Sequence, residues 1–137
     1  MRSIFVAVFV AFSCASAVSA ATYNETKLTA DDAAFGDFFG YSVGISGTKA
    51  IVGAWEDDDA GERSGSAYLF DTTTGAQIAK LTASDAAAND RFGDSVAISG
   101  TTAIVGATGD GGASGSAYLF DTTTGAQIGK LTASDGA

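Results

Sequence analysis

Apolar and polar residues alternate in short stretches along most of the chain. In the clearest of them, Tyr41, Val43 and Ile45 share one face of an extended segment, and small residues fill the other face. Turns that contain glycine separate these stretches, as expected for short strands. Between residues 39 and 85 the pattern predicts four strands, at Tyr41–Ser46, Ala50–Ala54, Ser66–Asp71 and Gln77–Thr82. No stretch after residue 20 has the 3.6-residue apolar period of a helix, so we expect none there.

The chain repeats itself. The segment FGYSVGISGTKAIVGA begins at Phe39, and FGDSVAISGTTAIVGA begins at Phe92. Further along, SGSAYLFDTTTGAQI occurs unchanged at Ser64 and at Ser114. The spacing between copies falls from 53 to 50 residues, so the second copy lacks three residues of the intervening loop. The tetrapeptide KLTA occurs three times, at residues 27, 80 and 130, which adds the end of a preceding unit.

These repeats divide the chain into a first unit (residues 39–85), a linker (86–91) and a second unit (92–137), preceded by residues 21–38. Four short strands in about 50 residues are typical of a propeller blade. The predicted fold is therefore all-β, a partial β-propeller with two four-stranded antiparallel blades and a lone outer strand before them. We expect the large apolar face of one unit to stack on the small face of its neighbour. A β-solenoid or a β-sandwich is the alternative.

The first twenty residues have a different character. Arg2 is followed by a continuous apolar run from Ile4 to Phe12, and then by small residues that end at Ala20. This is the layout of a secretory signal peptide, with cleavage after Ala20 or, as second choice, after Ala17. A retained membrane anchor or a lipoprotein cysteine at residue 14 is the alternative. The sequence thus predicts a secreted protein, either extracellular or on the cell surface.

Composition excludes several kinds of function. The net charge is −9, which disfavours nucleic acid and, after signal cleavage, anionic membranes as partners. The chain has no His, and its single Cys lies in the predicted signal peptide. Common nucleophile–base pairs and zinc sites are therefore absent from the mature sequence. We predict a protein that is not an enzyme, with a carboxylate-based propeller hydrolase as a weaker alternative.

The repeated motifs resemble the FG-GAP repeats that form the propeller of integrin α subunits and occur in many bacterial surface proteins. The resemblance rests on Phe39-Gly40 with Val52-Gly53-Ala54, and on Phe92-Gly93 with Val105-Gly106-Ala107. It implies propeller blades and an adhesion function. Calcium-binding members carry an Asp-rich loop between the first two strands, whereas this chain has Ser46-Gly47-Thr48-Lys49 there. The second unit also lacks carboxylates at this loop, so we expect the family's usual calcium site to be missing.

Acidic residues concentrate instead in two loops that should share the opposite rim. One loop joins the second and third strands (55–63), and the other leads from the fourth strand to the next unit (83–91). The residues predicted to form a ligand or cation rim are Trp55, Glu56, Asp57, Asp58, Asp59, Asp85 and Asp90. Ca²⁺ at this acidic rim is the one candidate cofactor. The alternative is a solvated acidic loop that maintains solubility.

These observations lead to a hypothesis about function. The chain is interpreted as an extracellular binding or adhesion module with a protein or glycan ligand, and as a fragment of a larger propeller. Its further blades would come from the same chain or from other copies, because stacked repeats seldom hold together below about three units. A structural or self-assembling repeat without a ligand is the alternative. Asn24 begins an N-glycosylation sequon, Asn24-Glu25-Thr26.

Overall fold

A computed structural model describes residues 24–135. The predicted signal peptide, its predicted cleavage site and residues 136–137 lie outside the described part. The described residues form two four-stranded antiparallel sheets, in the orders β1-β2-β3-β4 and β5-β6-β7-β8. The strands are β1 (Ser42–Ser46), β2 (Lys49–Ala54), β3 (Ser66–Asp71), β4 (Gln77–Leu81), β5 (Phe92–Ser99), β6 (Thr102–Ala107), β7 (Ser116–Asp121) and β8 (Gln127–Leu131). The predicted all-β fold of two blades is confirmed.

The two units pair their strands in the same register. In the first unit Val52 of β2 lies opposite Val43 on one side and Tyr68 on the other. In the second unit Val105 of β6 has the equivalent position between β5 and β7. Both units also shift register at the same point between their third and fourth strands. The turns between the first and second strands (Gly47-Thr48 and Gly100-Thr101) and those after the third strands (residues 72–76 and 122–126) are identical, and turn type and loop length set the register of a hairpin. The loops between the second and third strands differ by three residues, and the register there is nevertheless the same.

The chain departs from the predicted elements at two places. Residues 24–30 form no strand, although a lone strand was predicted there, because a strand needs a hydrogen-bonding neighbour and this segment has none. A short helix, α1 (Asp110–Ala113), follows β6 and was not predicted. Its residues Gly111 and Gly112 have positive, non-helical φ values. The element has only four residues, which is too short for an apolar period that would predict a helix.

The units stack face to face, as the alternation of large and small residues predicts. Ile51, Leu69 and Leu81 of the first unit are buried against the second unit. The second unit contributes, among others, Phe92 and Val105 to the same core. Phe92 is fully buried and packs in the core between the units. At the facing first strands, Gly44 of β1 lies against Ile98 of β5, so the small face of β1 meets the large face of β5.

A second, smaller core lies on the outward-facing large side of the first unit. It joins Val52, Tyr68 and Phe70 with Leu28 and with further small residues. Phe39 packs edge-on against the rings of Tyr68 and Phe70 but stays half-buried. Within residues 24–135 no further sheet covers this side, so the core there is shallower. Among the described residues no helix has the length and apolar character needed to span a membrane.

Candidate functional site

Two carboxylate–lysine clusters occupy equivalent positions in the two units. In the first, Lys80 Nζ lies 2.6 Å from Asp32 Oδ2, 2.9 Å from Asp57 Oδ2 and 2.5 Å from Asp59 Oδ2. The Tyr68 hydroxyl donates to Asp57 Oδ2 at 2.8 Å. The strands β3 and β4 position the tyrosine and the lysine, because Tyr68 lies directly opposite Lys80. We call this group the Lys80 cluster.

The second unit repeats the arrangement with one carboxylate fewer. Lys130 Nζ lies 2.6 Å from Asp85 Oδ2 and 2.7 Å from Asp110 Oδ2. The Tyr118 hydroxyl donates to Asp85 Oδ1 at 2.9 Å. Asp32 precedes the first unit, and Asp85 is the last residue of the first unit, so each of them comes from the part of the chain that precedes its lysine's sheet. Each ion pair therefore fastens that preceding part to the sheet. We call this group the Lys130 cluster.

The charge states of the Lys80 cluster follow from its geometry. Burial alone would raise the pKa of Asp57, but the N–H of Asp59 and the groups of Lys80 and Tyr68 hold that pKa below its ordinary value. Burial also opposes a charge on Lys80, yet the surrounding aspartates raise the pKa of its ammonium. Burial and the bond to Asp57 raise the pKa of the Tyr68 hydroxyl. Burial would raise the pKa of Asp32 as well, but its bonds to Lys80 and Tyr68 lower that pKa, so Asp32, Asp57 and Lys80 are all charged at neutral pH.

This arrangement bears on the calcium prediction. The carboxylate oxygens of Asp32, Asp57 and Asp59 lie within 4.8 Å of one another, close enough to share one cation. The ammonium of Lys80 already lies within hydrogen-bonding distance of all three. Ca²⁺ needs six to eight oxygen ligands and would be repelled by this ammonium. The residues present therefore do not fit a calcium ion.

The structure does not gather the predicted rim residues into one acidic patch. Glu56 lies 3.7 Å from Arg63, and Asp58 accepts a hydrogen bond from the Arg63 N–H. Asp90 is buried and accepts from the N–H of Ala87 within its own loop. Asp85 belongs to the Lys130 cluster, whereas Asp57 and Asp59 belong to the Lys80 cluster. The two loops do meet, through a hydrogen bond from the Asn89 N–H to the Glu62 carbonyl.

Sequence reasoning missed Lys80, Lys130 and Asp32 as members of these clusters. A signal for them was available, because Asp32 and Asp85 are separated by 53 residues and Lys80 and Lys130 by 50, the two repeat spacings. A polar residue that recurs at the repeat spacing has the same neighbours in each unit. Asn24 is exposed. Its glycosylation stays a prediction.

Trp55 is the predicted rim residue with the most distinctive surroundings. Its ring lies 6.0 Å from the ring of Phe38 and 5.8 Å from that of Tyr41, and the Arg91 guanidinium lies 5.5 Å above it. A cavity of about 230 Å³ opens here between the units. It is lined by Tyr41, Trp55, Arg91, Asp94 and Thr108. We call this the Trp55 cavity.

The Trp55 cavity combines an aromatic surface with groups of both charges. The indole Nε1 is buried and has no hydrogen-bond partner in the structure. A flat ring beside one cation and one carboxylate can bind a ligand that has both apolar and hydroxyl groups. The second unit has Thr108 where the first has Trp55, so this cavity does not recur there.

The lysine clusters make stability depend on pH. The pKa of Asp57 and, through Lys130, that of Asp85 are lowered in the fold. Their stabilising effect is present above the ordinary aspartate value of 3.8 and is lost as pH falls below it. The hydroxyl of Tyr118 has its pKa raised, mainly by burial, from 10.0 to about 12, so its effect is lost as pH rises through that interval.

We therefore expect a plateau in the free energy of unfolding from about pH 5 to 9, with a decline on each side. Urea unfolding at one-unit pH steps measures it. The variant Asp57→Asn cannot titrate at this position and should have a shallower acid decline. Stability that increases between pH 5 and pH 3 would contradict the assigned directions.

Comparisons with known proteins agree with the repeat. The sequence model of the FG-GAP repeat matches residues 23–70 and 76–120. A search of curated protein sequences finds no match. Among solved structures, the chain is similar to the crystal structure of the computationally designed Ika8 protein, with 16% identity and a TM-score of 0.38. That alignment covers 68% of this chain and 36% of the designed one.

Proposed function

Because this chain belongs to the FG-GAP repeat family, we propose that it is a secreted binding or adhesion module. The family establishes a β-propeller-type repeat module, and such repeats are typically binding or structural units without catalysis. Secretion is supported by the layout of residues 1–20. The module would lie outside the cell or on its surface, as part of a larger propeller.

The Trp55 cavity is the observation that supports a ligand-binding role. Trp55 of the loop 55–63 and Arg91 of the loop 83–91 meet there. Tyr41 of the first unit and two residues of the second unit, Asp94 and Thr108, complete the lining. Loops on a rigid scaffold are where binding residues concentrate. A volume of about 230 Å³ is below the roughly 300–1,000 Å³ of pockets for drug-sized ligands. The cavity would accept one sugar ring or one side chain of a larger partner.

A glycan suits this lining better than a purely apolar or purely charged ligand. The apolar face of a sugar ring would stack on Trp55, and its hydroxyls would bond to Arg91 and Asp94. An extracellular protein that inserts one side chain is the second candidate, because Trp and Arg are enriched at the centres of protein interfaces. The acidic loop 55–63 supports neither the glycan nor the protein ligand, because Lys80 and Arg63 neutralise its carboxylates.

The carboxylate pairs do not favour a hydrolase. A glycosidase needs one carboxyl group that stays protonated near neutral pH to act as general acid. In the clusters the pKa values of Asp32, Asp57, Asp85 and Asp110 are all lowered. We therefore propose binding without catalysis.

Replacing Trp55 by alanine should weaken glycan binding at least 10-fold, because central aromatic anchors contribute most of the binding free energy. The test uses protein recovered from culture medium, whose mass also reports cleavage after Ala20. It is applied to an array of mammalian and microbial glycans, and hits are titrated by calorimetry.

The control for this test is Phe35→Ala. Phe35 is fully exposed and lies outside the Trp55 cavity, so its removal should leave affinity unchanged. Equal binding by Trp55→Ala and the original chain would exclude this cavity. An array without any saturable signal would exclude the glycan and leave the protein partner to be tested by the same pair of variants.

A further inference from the structure

The interface between the two units has one half exposed at each end of the pair. Ile51, Leu69 and Leu81 of the first unit are fully buried under the second unit. Their counterparts in the second unit are Ile104, Leu119 and Leu131. Ile104 and Leu119 are only half-buried, and Leu131 is 49% exposed. We call this surface the trailing face of the second unit.

The opposite half is exposed on the first unit. Val96 and Ile98 of β5 pack against the core between the units. Their counterparts on β1, Val43 and Ile45, are 69% and 70% exposed. The same difference separates the buried Phe92 from the half-buried Phe39. We call this surface the leading face of the first unit.

The backbone and polar groups of the interface are also present at both ends. Between the units, the Ser42 hydroxyl donates to the Gly93 carbonyl at 2.7 Å, and the Gly100 N–H donates to Ser46 Oγ at 3.1 Å. The repeat supplies equivalent groups on the two exposed faces, namely Ser95 with Gly40 and Ser99 with Gly47. Gly40 has φ 94° and Gly93 has φ 90°, so the backbone at Gly40 already has the φ that its counterpart has in the interface.

We propose that a second copy of this chain docks head to tail, with the leading face of one copy on the trailing face of another. The contact would reproduce the interface that already joins the two units. It is heterologous, so it forms a ring if the rotation closes and a filament if it does not. Two, three or four copies would supply four, six or eight blades, which is the range in which propellers close.

One segment of the chain competes with this docking. Residues 28–32 (LTADD) lie on the leading face of the first unit as residues 81–85 (LTASD) lie on the second unit. The Asp31 N–H donates to Gln77 Oε1 at 3.0 Å, and the Ser84 N–H donates to Gln127 Oε1 at 2.9 Å. Both segments also place an aspartate on a cluster lysine. Residues 28–32 therefore occupy the position of a preceding unit's outer edge.

An arriving copy would bring its own residues 131–135 (LTASD) to that position. These residues match 81–85 in every position and are exposed in the structure. Docking must therefore displace residues 28–32 from the leading face. Because the tethered segment competes at an effective concentration of the order of millimolar, it should hold the intact chain largely as single copies. Release of the segment should promote assembly.

The first experiment compares the mature chain (residues 21–137) with a variant in which the segment is released, Leu28→Ser with Asp32→Ala. Sedimentation velocity from about 1 to 100 μM measures the mass of each. We expect at least a 10-fold tighter association for the released variant, as two to four copies or as a filament. A released variant that stays folded and single over this range would overturn the proposal.

A mixing experiment tests the head-to-tail arrangement and does not depend on one variant. In the released background, Val43→Asp with Ile45→Asp blocks the leading face, and Ala97→Glu with Leu131→Asp blocks the trailing face. All four side chains are exposed, so both variants should fold. Each alone should remain a single copy, and their mixture should form a complex of one copy each.

Two outcomes of the mixing experiment contradict the proposal. A face-to-face dimer would assemble in one of the blocked variants alone. A surface that takes an unrelated partner would leave the mixture as single copies. Circular dichroism and a cooperative urea transition of each variant confirm that the face, and not the fold, has been changed.

Discussion

Replacing Gly93 by alanine is expected to lower the free energy of unfolding by about 4 kcal/mol. Gly93 has φ +90°, which disfavours any side chain. A β-carbon there would also lie 2.2 Å from the carbonyl oxygen of Ser66 in the other unit. That contact is with backbone, so it cannot be relieved by a side-chain rotation. The substitution should separate the units or shift one sheet against the other.

Gly40 provides a matched control for this substitution. It is the equivalent residue of the first unit and has nearly the same backbone conformation, φ +94°. No heavy atom lies within 4 Å of the position that its β-carbon would take. Gly40→Ala should therefore cost only the backbone strain, about 1 kcal/mol. Urea unfolding of both variants measures the difference, which isolates the contact between units.

One result would contradict this account. Equal losses for Gly93→Ala and Gly40→Ala would mean that backbone strain alone matters and that the stacking is looser than described. The substitution at Gly40 also tests the proposed head-to-tail assembly. If a second copy docks on the leading face, Gly40→Ala should prevent assembly of the released variant while leaving the single copy folded.

Replacing Lys80 by alanine is expected to lower the free energy of unfolding by about 3 kcal/mol. Lys80 is the cation that offsets Asp57, whose side chain is 5% exposed. Without it, a buried carboxylate faces only the Tyr68 hydroxyl and the Asp59 N–H, together with the other aspartates of the cluster. The carboxylate must then stay charged without its partner or take up a proton, and both options destabilise the fold.

Lys130→Ala is the matched control in the second unit. Its most buried partner is more exposed than Asp57, since 13% of the Asp110 side chain is accessible, and 47% of the Asp85 side chain is accessible. Exposed ion pairs contribute about 0–1 kcal/mol, so the expected loss is at most about 1 kcal/mol. Urea unfolding at pH 7 measures both variants. A larger loss for Lys130→Ala than for Lys80→Ala would contradict the assignment of burial as the cause.

The double variant Lys80→Ala with Asp57→Ala separates charge from packing. Removing both partners leaves no uncompensated carboxylate at the buried position, so part of the loss should be recovered. A double variant that is as unstable as the sum of the two single variants would indicate that the residues act independently.

Much of the fold could be predicted because it follows from local pattern. The alternation in β1 and the turns before β2 and β4 are properties of a few adjacent residues. The repeat shows each of these patterns twice. The lone outer strand predicted before the first unit is not formed by the described residues 24–38, because pairing depends on a neighbouring strand that the described part of the chain does not place there. The same reason applies to Val43 and Ile45, whose apolar pattern indicates a buried face but which no sheet among residues 24–135 covers.

The candidate site was less predictable. The acidic residues of the loop 55–63 stand out in the sequence, but their pairing with a lysine 21 to 23 positions later does not. Trp55 was identified as a rim residue from its loop. Arg91 of the linker and Asp94 of the second unit, which complete its cavity, meet Trp55 only through the stacking.

The sequence by itself determined the repeat, the strand pattern and the large and small faces, because these depend on periodicity along the chain. The tertiary structure decided which residues lie together across units. It placed Lys80 among three carboxylates where the sequence suggested a cation rim, and it opened the Trp55 cavity between two loops that are far apart in the chain. It also showed that residues 28–32 fill the position of a missing outer edge. The reason is that a charge or an exposed face is defined by its neighbours in space, which local sequence does not specify.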